Sequence, residues 1–125
     1  MSGILDHFGF HVRDYAKSKA FYGKALAPLG ISMLRGGDNW GMLGREGKPQ
    51  FWIGEGGPPA GHTHIAFAAR NREEVRQFHA AALAAGGKDN GGPGLRPYHP
   101  NYYGAFVIDP DGHNVEAVCH DPEAA

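Results

Sequence analysis

The sequence predicts an α+β domain of two tandem βαβββ modules, curved into a cup-shaped mixed sheet with its helices on the outside. Three features carry that expectation. The first is an internal repeat: HFGFHVRDYAKSKAFYGKALAPLG from His7 lies without a gap on HIAFAARNREEVRQFHAAALAAGG from His64, 57 residues later. Phe10 meets Phe67, Arg13 meets Arg70, Asp14 meets Asn71, Phe21 meets Phe78, Leu26 meets Leu83 and Gly30 meets Gly87. The second is a change of hydrophobic period within each copy, from strand alternation to a helical stripe. The third is the placement of 20 Gly and 9 Pro, which cluster at joints between short apolar runs and read as turns rather than disorder.

The elements follow in order. Residues 4–12 alternate, with Phe8, Phe10 and Val12 on one face and His7, Gly9 and His11 on the other. Asp14 is a helix N-cap, and Ser18, Phe21, Tyr22, Ala25 and Leu26 form the buried face of a helix that Pro28 and Gly30 stop. Short, Gly-broken strands follow near 31–35, 39–44 and 50–54. Pro58 to Gly61 is the joint. In the second copy, residues 62–69 put Ile65 and Phe67 on one face and His62, His64 and Ala66 on the other. Asn71 and Glu74 resemble a capping box; Val75, Phe78, Ala82 and Leu83 make the helical stripe; Gly86 and Gly87 end it. Strands near 88–90, 102–108 and 113–119 complete the module. The last two are joined by Asp109-Pro110-Asp111-Gly112, a strong turn signal. Module one thus spans about 1–57 and module two about 61–121 of a single domain.

Bulk composition narrows function. The chain of 125 residues is long enough to bury one core. Twelve Lys plus Arg against 13 Asp plus Glu leave a net charge of −1, which gives no electrostatic case for nucleic acid or an anionic membrane. No apolar run approaches the roughly 18 residues of a membrane span. Asp6, His7 and His11 make the first residues unlike a signal peptide. A lone cysteine, Cys119, excludes an internal disulfide and fits a reducing, cytoplasmic setting; alternation turns it toward the helix side, as inert packing.

Chemistry concentrates on the strand fronts, which carry His, Gly and Ala rather than large aliphatics. In the last strand Asn114, Glu116, Val118 and His120 share a face. Glu116 lies in an otherwise apolar strand, where a carboxylate needs a partner or a metal. His7, His64 and Glu116 together form a two-His, one-carboxylate set that suits one divalent ion, Fe, Mn, Ni, Zn or Co, and leaves positions open for substrate. His11 and His62 also point to the front and are candidate substrate contacts. The segment GGPGLRPYHPNYY from Gly91 reads as a loop beside the cup. Within it Arg96 and His99 are candidate substrate-binding groups, Arg96 for a carboxylate or other oxyanion. Tyr102 or Tyr103 is the candidate proton or hydrogen-bond donor, and only one of these neighbours can face the cup. His79 reads as structural, and His113 and His120 as solvent-exposed.

With these motifs in hand, the chain resembles the vicinal oxygen chelate superfamily, which includes glyoxalase I, extradiol dioxygenases, fosfomycin-resistance enzymes and bleomycin-resistance proteins. The resemblance rests on LDHFGFHVRDYAKSKAFYGKAL, on GHTHIAFAARNREEVRQFHAAALAAGG and on AFVIDPDGHNVEAV. It implies His7, His64 and Glu116 as metal ligands and bidentate chelation of a small-molecule substrate through neighbouring oxygens, with the metal as Lewis acid. It also implies a homodimer, in which the two modules of one cup come from one chain or from two. Glyoxalase I enzymes carry a fourth ligand, a glutamate late in module one. Here that position falls at Phe51 or Trp52, with Glu55 displaced from it. The expected function is therefore a metal-dependent lyase or isomerase of glyoxalase type, or a ring-cleaving dioxygenase. The competing expectation is a metal-free, bleomycin-resistance-type protein that sequesters a drug or metabolite.

Overall fold

The structure, a computed structural model, describes residues 4–59 and 61–123. It is α+β, with two four-stranded mixed sheets and two helices. In chain order these are β1 (Phe8–His11), α1 (Tyr15–Ala25), a 3₁₀ turn (Ala27–Leu29), β2 (Ser32–Gly36), β3 (Trp40–Arg45), β4 (Lys48–Gly54), β5 (His64–Ala68), α2 (Arg72–Ala84), β6 (Lys88–Leu95), β7 (Tyr103–Ile108) and β8 (Asn114–Cys119). The sheet orders are β1-β4-β3-β2 and β5-β8-β7-β6. Each strand of the second sheet holds the place of the strand four earlier in the first, so the repeat in sequence is a repeat in topology. The outer pairs β1–β4 and β5–β8 are parallel and the other pairs antiparallel.

Both helices start where their caps require. The Asp14 side chain accepts from Lys17 N–H at 3.2 Å, and the Asn71 side chain from Glu74 N–H at 2.8 Å. Glu74 does not return to its cap residue as a capping box would. Its carboxylate instead accepts from the Arg70 backbone N–H and Nε, each at 2.8 Å. Tyr15, Ser18, Phe21, Tyr22 and Ala25 are the buried face of α1, and Glu74, Val75, Phe78 and Ala82 that of α2. Leu83 departs from its repeat partner: Leu26 is fully buried, whereas Leu83 is 37% exposed.

A single apolar core joins the modules. Phe51 is its hub, with ring centroids 5.0 Å from Phe8, 5.5 Å from Phe10, 5.0 Å from Tyr22 and 5.3 Å from Phe67 of the second module. Arg45 on β3 adds a polar tie, donating to the carbonyls of Leu29 and Ala68, each at 2.9 Å. Both sheets turn their backs and their helices to this core, so both fronts lie outside it.

Several sequence-based boundaries shift. The first strand is shorter than 4–12 and begins after His7. β5 begins at His64, because His62 adopts a left-handed φ of 41° that ends extended pairing. β6 continues to Leu95, so the start of the Gly91–Tyr103 segment is strand rather than loop; register shifts let it hold Gly91, Gly92, Gly94 and Pro93. His113, expected in solvent, is fully buried. The reason is the Asp109–Gly112 turn, closed by Gly112 N–H to the Asp109 carbonyl at 3.1 Å with Gly112 at φ 92°. The Asp109 carboxylate gathers the N–H groups of Asp111 and His113 at 2.8 and 2.9 Å and draws the turn inward. His113 Nδ1 then accepts from Thr63 N–H at 3.0 Å, and its ring stacks on Phe10 at 4.3 Å. Cys119 is buried, as alternation predicts. No helix among the described residues is long and apolar enough to cross a membrane.

Candidate functional site

The site begins on β5. Alternation there sends Ile65 and Phe67 into the core and leaves His64, Ala66 and Ala68 exposed on the front. β8 lies alongside in parallel, and β7 beyond it, so Ala66, Glu116 and Phe106 form one row across the front. Glu116 is thus at the centre of the sheet and only 1% exposed. Its Oε1 lies 3.0 Å from His64 Nε2. His64 Nδ1 is 3.1 Å from the Asn114 carbonyl oxygen. A carbonyl only accepts, so Nδ1 carries the hydrogen, and in a neutral ring Nε2 presents its lone pair to the carboxylate. Two acceptors at that separation repel. A cation shared between them, either a proton on Nε2 or a divalent metal, removes the conflict. Nitrogen and carboxylate donors with the outer imidazole nitrogen fixed by a carbonyl are a donor set suited to a divalent ion.

The other carboxylate oxygen, Oε2, accepts from the Tyr102 hydroxyl. Burial raises the Tyr102 phenol above its ordinary range and the Glu116 hydrogen bond adds to that, so the hydroxyl remains a donor at neutral pH. The His64 ring is stacked over Phe106 at 6.2 Å, and the Arg96 guanidinium lies over the same ring at 5.3 Å. Arg96 Nη2 donates to the Gly92 carbonyl at 2.8 Å. His99 stacks on Tyr102 with centroids 5.8 Å apart. One sheet front therefore brings together His64, Glu116, Tyr102, Arg96 and His99.

Four other candidates lie elsewhere. Tyr103 points to the opposite face, where its hydroxyl accepts from Arg76 Nη1 at 3.1 Å and Arg72 sits over its ring at 5.0 Å. His62 is exposed beside Gly112, off the strand front. His11 is on the front of the first sheet, edge-on to Trp52 at 5.2 Å. His7, which precedes β1, has a side chain 62% exposed and pairs with Asp6 at 2.7 Å. Among the described residues no three His, Cys, Asp or Glu side chains converge to hold a metal. A single chain thus assembles His64 with Glu116 but not with His7. A cleft of about 190 Å³ between the modules, lined by Phe8, Leu43, Phe51, Ala66, Phe67 and Ala68, includes neither His64 nor Glu116.

Strand register decides what stands in module one where Glu116 stands in module two. Ala66 pairs with Glu116; its repeat partner Gly9 pairs with Trp52. Phe51 is turned into the core, so Trp52 is the front residue. Its backbone and Cβ come so close to Gly9 that a Cβ there would stand 2.6 Å from the Trp52 carbonyl oxygen. Glu55 is engaged elsewhere, accepting from Tyr15 N–H at 2.6 Å at the start of α1. One neighbour of the site escaped sequence reasoning. His120 lies edge-on to Tyr102 at 5.1 Å and to His99 at 5.4 Å. Alternation already placed it on the face of Glu116, and its position near the chain end masked that signal.

The family model for the Glyoxalase/Bleomycin resistance protein/Dioxygenase superfamily matches residues 4–117. The chain belongs to this superfamily. Similar solved structures of the superfamily's fold agree. A glyoxalase/bleomycin resistance protein from Albidiferax ferrireducens T118 is 30% identical, with a TM-score of 0.81, covering 95% of this chain and 100% of that one. A genomically encoded fosfomycin resistance protein from Listeria monocytogenes is 22% identical, with a TM-score of 0.70 and coverage of 97% and 96%. The oxidase ChaP-H2 is 19% identical, with a TM-score of 0.66 and coverage of 100% and 98%. These last two share the fold; their names describe activities of those proteins. Among curated proteins no sequence match to this chain was found.

Proposed function

We propose that this superfamily member is a divalent-metal-dependent enzyme acting on a small molecule, with His64 and Glu116 as two of its ligands. The observation that carries the reading is the facing pair of acceptors, His64 Nε2 and Glu116 Oε1, 3.0 Å apart, with His64 Nδ1 committed to the Asn114 carbonyl. His7 of a second copy of this chain is the proposed third ligand. Both sheet fronts face away from the shared core in one chain, no ladder among the described residues joins the two sheets, and His7 lies apart from the His64–Glu116 pair. A homodimer that sets the front of one module against the other copy's second module supplies what one chain lacks. A bound ion would supply Lewis-acid stabilisation of an oxyanion on a substrate with neighbouring oxygens. Arg96 lies on the same front and fits the substrate's negative charge, and His99 is its neighbour along the loop. Trp52, at the register position of Glu116, supports three protein ligands rather than four. That favours ring-cleaving dioxygenase chemistry over a glyoxalase-like isomerase, which draws its base from a carboxylate there.

The same pair supports a second reading. A proton on His64 Nε2 converts the contact into an ion pair and leaves a metal-free binding protein that holds a drug or metabolite on this front. Elemental analysis of protein purified anaerobically separates the two. The enzyme reading expects one ion per chain, lost in both His64→Ala and His7→Ala. Mixing the two variants restores part of the metal content if His7 comes from the second copy, and none if each site is built within one chain. Unchanged metal content in His64→Ala would sink the ligand assignment, and ligand binding by metal-free wild-type protein would establish the binder.

A further inference from the structure

We propose that Tyr102 is a positioning residue that commits Glu116 to meet a metal through Oε1, and that His99, His120 and Tyr98 form the cage that holds Tyr102 in place. The inference rests on the metal-dependent reading above. The two oxygens of Glu116 have different surroundings: Oε1 faces His64 Nε2 at 3.0 Å, and Oε2 accepts from the Tyr102 hydroxyl. With the carboxylate 1% exposed, water does not replace a lost partner at Oε2. The hydrogen bond therefore fixes the rotation of the carboxylate and leaves one oxygen directed at the imidazole.

Three features deliver the phenol to that oxygen. Tyr103 is anchored on the α2 side by Arg72 and Arg76, so its neighbour Tyr102 is directed to the front. Gly104 leaves the gap: a Cβ there would stand 3.1 Å from Glu116 Oε2 and 3.3 Å from the Tyr102 ring. The Arg96 N–H donates to the Tyr102 carbonyl at 2.8 Å, and the Tyr102 N–H to the His99 carbonyl at 3.3 Å, which folds the connection between β6 and β7 back on the ring. Around the ring, His99 lies parallel at 5.8 Å, while Tyr98 and His120 meet it edge-on at 5.0 and 5.1 Å. β8 thus supplies the carboxylate and leads, one residue past its end, to His120, a wall of the cage. Outer partners of this kind orient a ligand and alter metal affinity about 10–100-fold when removed.

Cobalt(II) titration of the purified protein, read by visible absorption and calorimetry, tests the assignment. Tyr102→Phe keeps the ring and removes only the hydroxyl. It is expected to keep the wild-type circular dichroism, bind cobalt about tenfold more weakly or worse, and shift the visible bands. His99→Ala with His120→Ala is expected to weaken binding in the same direction. His99→Phe with His120→Phe keeps two rings and is expected to bind like wild type. Wild-type uptake with an unchanged Kd and spectrum in Tyr102→Phe overturns the Tyr102 assignment alone. Loss of cobalt in the double Phe variant matching the double Ala variant overturns the cage, because the imidazoles would then act directly. A wild-type protein that takes up no cobalt overturns the metal reading and this inference with it.

Discussion

Tyr22 and Asp109 meet across the module boundary inside the core, where the Tyr22 hydroxyl donates to the Asp109 carboxylate. Burial first, and then the Asp109 charge and hydrogen bond, hold the Tyr22 phenol well above its ordinary value. The fold thus favours neutral Tyr22. The contribution is fully present below the unfolded phenol's pKa of about 10 and is lost as pH rises through the raised folded value. Tyr22→Phe is expected to lower stability by about 1–3 kcal/mol at neutral pH, by leaving a buried carboxylate short of a donor, and to flatten the alkaline loss; urea melts from pH 7 to 11 measure both. His113 carries a related load. Its Nδ1 holds Thr63 N–H, so its Nε2 bears the hydrogen, and that atom has no hydrogen-bond partner among the described residues. His113→Ala removes the Thr63 acceptor and the Phe10 stacking partner together, with an expected cost of about 2–3 kcal/mol read from denaturant midpoints. None of this was legible in the sequence. A histidine after Asp-Pro-Asp-Gly has the pattern of a solvated turn, and only the inward pull of Asp109 buries it.

The helices carry the repeat most faithfully. Asp14 and Asn71, aligned in the sequence, are both N-caps, and Phe21 and Phe78 are both buried. Asp14→Ala and Asn71→Ala are each expected to cost about 1 kcal/mol, and the similarity of the two losses in thermal melts checks that the caps are equivalent. The second helix adds the Arg70–Glu74 pair. Burial raises the Glu74 carboxyl, but the Arg70 side-chain and backbone hydrogen bonds outweigh it and hold it below the ordinary value. A depressed carboxyl stabilises the fold above its unfolded pKa, about 4.3, and that stability is lost as pH falls through the folded value. Glu74→Gln is expected to be less stable at pH 7 and to show a shallower loss on acidification, measured by melts between pH 7 and 3. Strands were legible by alternation where one face is buried, as in β5; β8 is buried on both faces, and Asn114 and Glu116 marked its front by residue type instead. Alternation failed at His62, whose left-handed backbone lies outside any strand, and in β6, whose glycines and Pro93 carry a turn signal while the chain stays paired to β7. Local composition reports conformational preference, and pairing with a neighbouring strand overrode it there.

The two modules share one core. Phe51 packs on Phe67, Tyr22 reaches Asp109, and Arg45 holds the Ala68 carbonyl, so each half lends its back to the other. Residues 1–57 expressed alone are expected to show no cooperative thermal transition, and a folded, cooperative fragment would contradict the shared core. The open fronts follow from the same packing. With both backs occupied by one core, His7 and the His64–Glu116 pair stay on outward faces, which is why the proposed third ligand is His7 of a second copy. Sequence was sufficient for the two-module α+β fold through its 57-residue repeat, and for the helix N-caps, most of the helical stripes, the final turn and the inward-facing Cys119, each of which depends on spacing and residue type within a dozen neighbours. The placing of Glu116 and Tyr102 in contact, of Tyr103 on the far side, of Trp52 rather than Phe51 at the front, and of His7 apart from His64 came from the folded chain. Those relations join residues distant in sequence through strand register and the packing of one module on the other, and no local pattern of residues encodes either.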